Sequence, residues 1–136
     1  MNLIKEAERL IAVLSSCPSL EECRILKAFP YEKYPARLKH PVIAVATGEL
    51  ECEGRDLDLT VYSGEYTLNA DIYIPQELGS PVAGEMLKHV VDSVATLCPY
   101  KIQVSKIIQY DMLNSFCIKC SFTFRGAMSF KEDNDD

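Results

Sequence analysis

Six cysteines are the residues of this sequence with the most versatile chemistry, because thiolates attack electrophiles, bind metals and form disulfides. They are Cys17, Cys23, Cys52, Cys98, Cys117 and Cys120. Cys117 and Cys120 have the spacing of half a zinc site, but the alternating pattern around them predicts a strand with the two on opposite faces. No second cysteine pair has a suitable spacing, and the N-terminus resembles no export signal. The sequence therefore predicts reduced thiols and no metal.

A catalytic nucleophile also needs a base, and two histidines are the usual candidates near neutral pH. His40 falls in a proline-rich segment and His89 on the polar side of a predicted helix, positions typical of surface histidines. Neither histidine is spaced in the sequence so as to pair with a cysteine. A histidine–cysteine contact formed in the folded protein is the alternative that stays open. We predict that the protein is not an enzyme.

The sequence also gives little support for a phosphate-binding or cation-binding site. Phosphate-cradling loops need clustered glycines before a helix, and the six glycines here are scattered. Glu49, Glu51 and Glu53 alternate on one face of a predicted strand, where a solvated acidic face is favoured over a cation site. The sequence therefore predicts no cofactor.

Charge and hydropathy narrow the class of protein further. The net charge of −6 disfavours a surface built for nucleic acid, because such a surface would repel phosphates. No apolar run reaches the length of roughly 18 residues that a membrane-spanning helix needs. The composition predicts a single domain over residues 1–130, followed by an acidic disordered tail over residues 131–136.

Hydrophobic periodicity predicts the elements that position these side chains. Apolar residues recur at helical spacing over residues 3–14 and 82–97, with Ser80 as the cap of the second helix and Pro81 at its first position. Branched or alternating residues predict strands over residues 23–29, 42–47, 68–74, 102–109 and 116–125. The order α-β-β-β-α-β-β predicts an α+β fold, with a mainly antiparallel or mixed sheet of four to six strands and both helices on one face.

Two segments fit a compact core poorly. Three prolines interrupt a basic and aromatic stretch at residues 30–41, which predicts an extended loop. Residues 48–66 form a strand-like arm with large apolar side chains, which either folds back as sheet or pairs with a neighbouring chain. We predict that both segments mediate self-association or partner binding, through Tyr31, Tyr34, Arg37, Leu57, Leu59, Tyr62 and Tyr66.

Four stretches within this order of elements carry a resemblance to a known family. They are the loop Phe29-Pro30-Tyr31-Glu32-Lys33-Tyr34-Pro35, the segment Lys39-His40-Pro41-Val42-Ile43-Ala44-Val45 that follows it, the strand Ala70-Asp71-Ile72-Tyr73-Ile74-Pro75 and the helix start Gly79-Ser80-Pro81. With them, nearly the whole chain resembles the tail terminator or tail-completion proteins of long-tailed bacteriophages and their prophage relatives.

The resemblance implies a structural virion assembly protein without enzymatic activity. It implies a homo-oligomer, a ring of six copies that caps the tail tube and joins it to the head-connector proteins. It also implies no specific nucleic-acid binding and no membrane, with DNA free to pass through the lumen. The expected location is the cytoplasm of the bacterial host during assembly and then the virion tail.

Two other classes of protein are alternatives. One is a small cysteine-dependent enzyme in which Cys98 or Cys52 works with a histidine, and a depressed thiol pKa would favour it. The other is a monomeric adaptor that binds a peptide along the edge of its sheet.

Overall fold

The computed structural model describes residues 2–28, 38–54, 61–110 and 114–129. These residues form an α+β fold of two helices and one six-stranded mixed sheet. The helices are α1 (Leu3–Ser15) and α2 (Ser80–Ala95). The strands are β1 (Arg24–Lys27), β2 (Val42–Gly54), β3 (Val61–Pro75), β4 (Lys101–Val104), β5 (Ile108–Tyr110) and β6 (Ser115–Ser129). The predicted fold class and order of elements are confirmed, except that the strand predicted at residues 102–109 is divided into β4 and β5.

The sheet has the strand order β1-β2-β3-β6-β4, and β5 also pairs with β6. β1 and β2 run parallel, whereas the other pairs are antiparallel. β3 takes up one side of β6 along its whole length, so β4 and β5 both lie on the other side. The sheet is therefore mainly antiparallel, as predicted, and β4 and β5 together form one of its edges.

Both helices pack on one face of the sheet and form the main core with it. α1 contributes Ala7, Leu10 and Leu14, and α2 contributes Ala83, Met86, Val90 and Val94. Alternate residues of the central strands face them: Leu68, Ala70, Ile72, Ile74, Ile118, Cys120, Phe122 and Phe124. The predicted periodicities of α1, α2, β3 and β6 are confirmed at these residues, whereas Ile4 of the predicted α1 row is 49% exposed.

Among the described residues, a second cluster covers the opposite face of the sheet at one end. This smaller buried cluster consists of Leu26, Leu38, Val42, Ala44, Tyr73 and Cys117. Residues 42–45 are therefore buried on both faces of the sheet, which their branched apolar run predicted. Along the rest of that face the sheet carries Asn69, Asp71, Lys119, Ser121 and similar polar side chains.

The predicted start of α2 was one residue late. Gly79, at φ 84° and ψ 163°, is the N-cap, and Ser80 is the first helical residue. A positive φ is accessible to glycine at little cost, so the sharp turn into the helix falls on Gly79 rather than on Ser80. Pro81 still lies in the first turn, where its missing N–H costs no hydrogen bond.

The predicted arm forms a hairpin within the chain. β2 runs past residue 47 to Gly54 and pairs with β3 over residues 62–66, with an irregularity between Thr47 and Leu50. The arm therefore folds back as ordinary sheet on one side. Outside the described residues lie residues 55–60, most of the predicted proline-rich loop (residues 29–37) and the predicted tail (residues 131–136).

Candidate self-association surface

One edge of the sheet is formed by β4 and β5 and the short link between them. The backbone N–H of Tyr100 donates to the carbonyl of Thr123 at 2.7 Å, and that of Ser105 donates to Lys119 at 2.9 Å. In the link, the N–H of Lys119 donates to the Ser105 hydroxyl at 2.9 Å instead of to a backbone carbonyl. A side chain therefore replaces one bond of the ladder and divides the edge into two short strands.

This edge is apolar and exposed. Of the seven large hydrophobic residues exposed in the described chain, five lie between residues 100 and 108, so the exposure is concentrated on one surface. They are Tyr100, Ile102, Val104, Ile107 and Ile108. Ile102 lies opposite Phe122 and Val104 opposite Cys120, so both face the same side as the main core yet remain 39% and 42% exposed. An uncovered apolar sheet edge of this kind is a surface on which another chain can pair.

Arg125 connects this edge to the centre of the sheet on the other face. Its guanidinium carbon lies 3.7 Å from the centroid of the Tyr100 ring. Its Nε is 3.3 Å from Oε2 of Glu65, the residue directly opposite it on β3. The ion pair is largely exposed, so its stabilising effect is small, while the ring contact places Arg125 against the residue that precedes β4.

A second open edge lies on the far side of the sheet. β1 pairs with residues 42–45 of β2, and Ala28 N–H donates to the carbonyl of Val45 at 2.8 Å. Beyond that point, no strand within the described ranges pairs with the outer side of β2. Glu49, Glu51 and Glu53 on this stretch are exposed. Among the described residues, the β4–β5 edge is therefore an apolar open edge and residues 46–53 of β2 are an acidic one, in addition to the outer side of β1.

None of the seven predicted interface residues belongs to the β4–β5 edge. Those outside the described residues are Tyr31, Tyr34, Arg37, Leu57 and Leu59. Tyr62 lies in β3, between Gly54 and Met128 in the register. The Tyr66 ring stacks on Phe124 at a centroid distance of 5.2 Å and packs against the main core, where burial raises the pKa of its phenol. The interface role of these seven residues stays a prediction.

The exposed edge at residues 100–108 had no functional role in the sequence-based prediction. Alternation predicts that a segment is a strand, but it does not tell an edge strand from an interior one. The available signal was local: the adjacent Ile107 and Ile108 break the alternation, and Lys101 and Lys106 flank the apolar residues. Lysines on a strand are typical of edges.

Burial weakens the nucleophilicity of three thiols. It raises the pKa of Cys23 to about 11 and that of Cys120 to about 12, and it also raises the pKa of Cys117. These thiols are protonated at neutral pH and are poor nucleophiles. Cys120 lies in the main core and Cys117 in the smaller cluster, so the prediction that they occupy opposite faces is confirmed.

Among the described residues, the remaining cysteines and the histidines are not joined by hydrogen bonds into a catalytic arrangement. Cys17 and His89 line the same groove between α1 and α2, but no hydrogen bond joins them. The imidazole Nε2 of His89 is instead 3.9 Å from Oε2 of Glu85. Among the described residues, no three His, Cys, Asp or Glu side chains are grouped so as to hold a metal ion. Neither described helix is long and apolar enough to span a membrane.

Comparison with known proteins identifies no family for this chain. The sequence matches no protein-family model and no curated protein. The two open edges of the sheet are therefore the features on which a function can be based.

Proposed function

We propose that this protein is a structural assembly protein that forms a ring of identical subunits and caps a phage tail tube, as the tail terminator proteins it resembles do. The observation that carries the proposal is that two edges on opposite sides of one sheet, residues 46–53 of β2 and the β4–β5 edge, pair with no other strand among the described residues. Two different surfaces on opposite sides of a subunit produce head-to-tail contacts, which close into a ring when the rotation between subunits allows it.

Exposure of the β4–β5 edge supports self-association. Ile102, Val104 and Ile108 are exposed to water. A neighbouring chain that covered them would stabilise the assembly by roughly 25 cal/mol for each Å² of apolar surface buried. Monomeric proteins commonly protect such edges with a covering loop, a proline or several charges. Lys101 and Lys106 prevent indiscriminate aggregation but leave the apolar side chains available to a specific partner.

The polar face of the sheet is suited to line the lumen of such a ring. Both helices occupy the other face, so a sheet continued from subunit to subunit can present its polar face inwards. Lys119 and Arg125 on this face offset part of the charge of Glu65 and Asp71. A lumen of mixed charge would let DNA pass without holding it firmly.

The effect on tube growth tests the proposal. Tail-tube protein of the cognate phage would be polymerised with increasing amounts of this protein, and tube length measured by electron microscopy. The proposal predicts shorter tubes at amounts far below one copy per tube subunit, with extra density at tube ends. Unchanged tube length and no density at the ends would contradict it.

The same edge also favours a second candidate, the monomeric adaptor, because an extended peptide can pair with β4 and β5 as a further strand. Sedimentation distinguishes the two functions. An adaptor stays monomeric with tubes present and binds a peptide in extended form, whereas a terminator associates with itself on the tube end.

A further inference from the structure

We infer that neighbouring copies are joined by strand pairing between the acidic edge of β2 (residues 46–53) and the β4–β5 edge (residues 100–109). This inference rests on the proposed ring. A second copy of this chain is therefore the occupant of the exposed apolar edge. The inference identifies the two surfaces that meet, which the ring proposal alone does not.

Charge complementarity is the first observation behind this pairing. Residues 46–53 contain three exposed glutamates, Glu49, Glu51 and Glu53, and no basic residue. Residues 100–109 contain the exposed Lys101 and Lys106 and no acidic residue. Neither lysine forms an ion pair with any residue that the structure describes. Bringing the two edges together pairs these charges across the new strand ladder.

The same charges disfavour symmetric dimers. Pairing two copies of the β2 edge places glutamates beside glutamates, and pairing two copies of the β4–β5 edge places lysines beside lysines. Like charges on paired strands are destabilising. The favoured contact is therefore head-to-tail, with one edge of each type, and this is the type of contact from which rings are built.

The faces of the two edges also match. Leu50 is registered with Tyr66, which packs on the main core, so Leu50 and Cys52 belong to the helix-covered face. Ile102 and Val104 belong to that same face. In a sheet continued across the contact, apolar side chains would therefore meet apolar side chains on the helix-covered face.

On the polar face the matching is between charges. Glu51 is registered with Glu65, which lies opposite Arg125, and Lys101 is registered with Thr123. Since Thr123 and Arg125 are two residues apart on β6, the side chains of Glu51 and Lys101 lie on the same, polar face. At roughly 3.3 Å per residue, residues 46–53 span about 26 Å and residues 100–109 about 33 Å, so the two edges have similar lengths.

Charge reversal tests this pairing. One variant carries Glu51→Lys and Glu53→Lys, so that both of its edges are basic. The other carries Lys101→Glu and Lys106→Glu, so that both are acidic. We expect each variant alone to associate at least about tenfold more weakly than the parent, because like charges now face each other. Mixing the two variants restores assembly, with the subunits alternating around the ring.

The controls are charge reversals of exposed helical residues, Glu8→Lys and Lys88→Glu, which should leave assembly unchanged. Mass photometry and sedimentation, with and without tubes, measure the assembly, and thermal melting confirms that each variant is folded. If the parent assembles and both edge variants assemble equally well, this pairing is wrong while the ring stands. If mixing restores nothing, the pairing is wrong too. If the parent stays monomeric with and without tubes, the proposed function fails, and this inference with it.

Discussion

The guanidinium carbon of Arg125 lies 3.7 Å from the centroid of the Tyr100 ring, at the point where the chain enters the exposed edge. The backbone N–H of Tyr100 also donates to Thr123 at 2.7 Å. The residue before β4 is thus held by its side chain and by its backbone. The apolar edge is therefore presented as a strand on the sheet and not as a loose loop.

We expect Arg125→Ala to lower the free energy of unfolding by about 0.5–1 kcal/mol, because the cation–π contact and the ion pair with Glu65 are both partly exposed. Arg125→Lys keeps the positive charge and should lose less. Urea denaturation measures the difference. A loss of several kcal/mol for the alanine variant would mean that this contact holds the sheet together, contrary to its exposure.

Two glycines that lie opposite each other on β3 and β6 should respond differently to alanine. A Cβ at Gly64 would overlap the carbonyl oxygen of Glu51 and the Cβ of Cys52, whereas one at Gly126 would meet nothing within 4 Å. We expect Gly64→Ala to cost about 1–3 kcal/mol. Gly126→Ala should be neutral or stabilising by up to about 1 kcal/mol. Equal melting temperatures for the two variants would refute the pairing of β2 with β3 at the hairpin.

Val90 is buried against the sheet, and Lys88 is exposed on the same helix. Val90→Asp should therefore destabilise the protein by more than about 4 kcal/mol, since it places an unpaired carboxylate in the core. Lys88→Asp, which introduces the same side chain two residues away, should cost less than about 1 kcal/mol. Melting curves of the two variants provide the comparison. Near-normal stability of the Val90 variant would mean that α2 is packed differently.

Buried thiols make the stability of the protein depend on pH in the alkaline range. The pKa of Cys120 rises from 9.0 to about 12 on folding, and that of Cys23 rises to about 11. Below pH 9 both states keep these protons, so the contribution to stability is constant. Above pH 9 the unfolded chain loses them first, so the free energy of unfolding falls as pH rises towards the folded pKa.

The variant Cys120→Ala removes the larger of these two pKa shifts and is the test of this effect. Its melting temperature should fall less steeply between pH 9 and pH 11 than that of the parent. The comparison concerns the slopes, since the variant starts from a lower stability. Parallel slopes would show that the Cys120 thiol ionises as readily in the folded protein as in the unfolded chain.

Much of this fold could be predicted from the sequence because its core is strongly periodic. Leu10 and Leu14 in α1, Val90 and Val94 in α2, and Phe122 in β6 all lie where their spacing placed them. A period of 3.6 or 2 directly identifies the buried side of a helix or strand. The prediction failed by one residue at Gly79, where a backbone angle and not a hydrophobic pattern decides the helix start.

The candidate site could be predicted only in part, because an edge is a property of the whole sheet. Residues 102–109 show the pattern of a strand, but their position beside β6 depends on pairing that the local sequence does not encode. Residues 46–53 of β2 lie beyond β1, which ends at Lys27, and no other described strand pairs with their outer side. Glu51 was correctly expected on a solvated acidic face. Its place on an open edge required the tertiary structure.

The mass of the assembled particle, measured by sedimentation equilibrium or mass photometry over a range of concentration and salt, tests the central claim most directly. Assembly through two different edges predicts a discrete closed species, at six times the chain mass of 15.3 kDa if the ring has six copies. Because charged edges join the copies, the assembled species should dissociate more readily as the salt concentration is raised. A 15.3 kDa monomer under every condition, including on tube ends, would contradict the claim, and so would a dimer that grows no further.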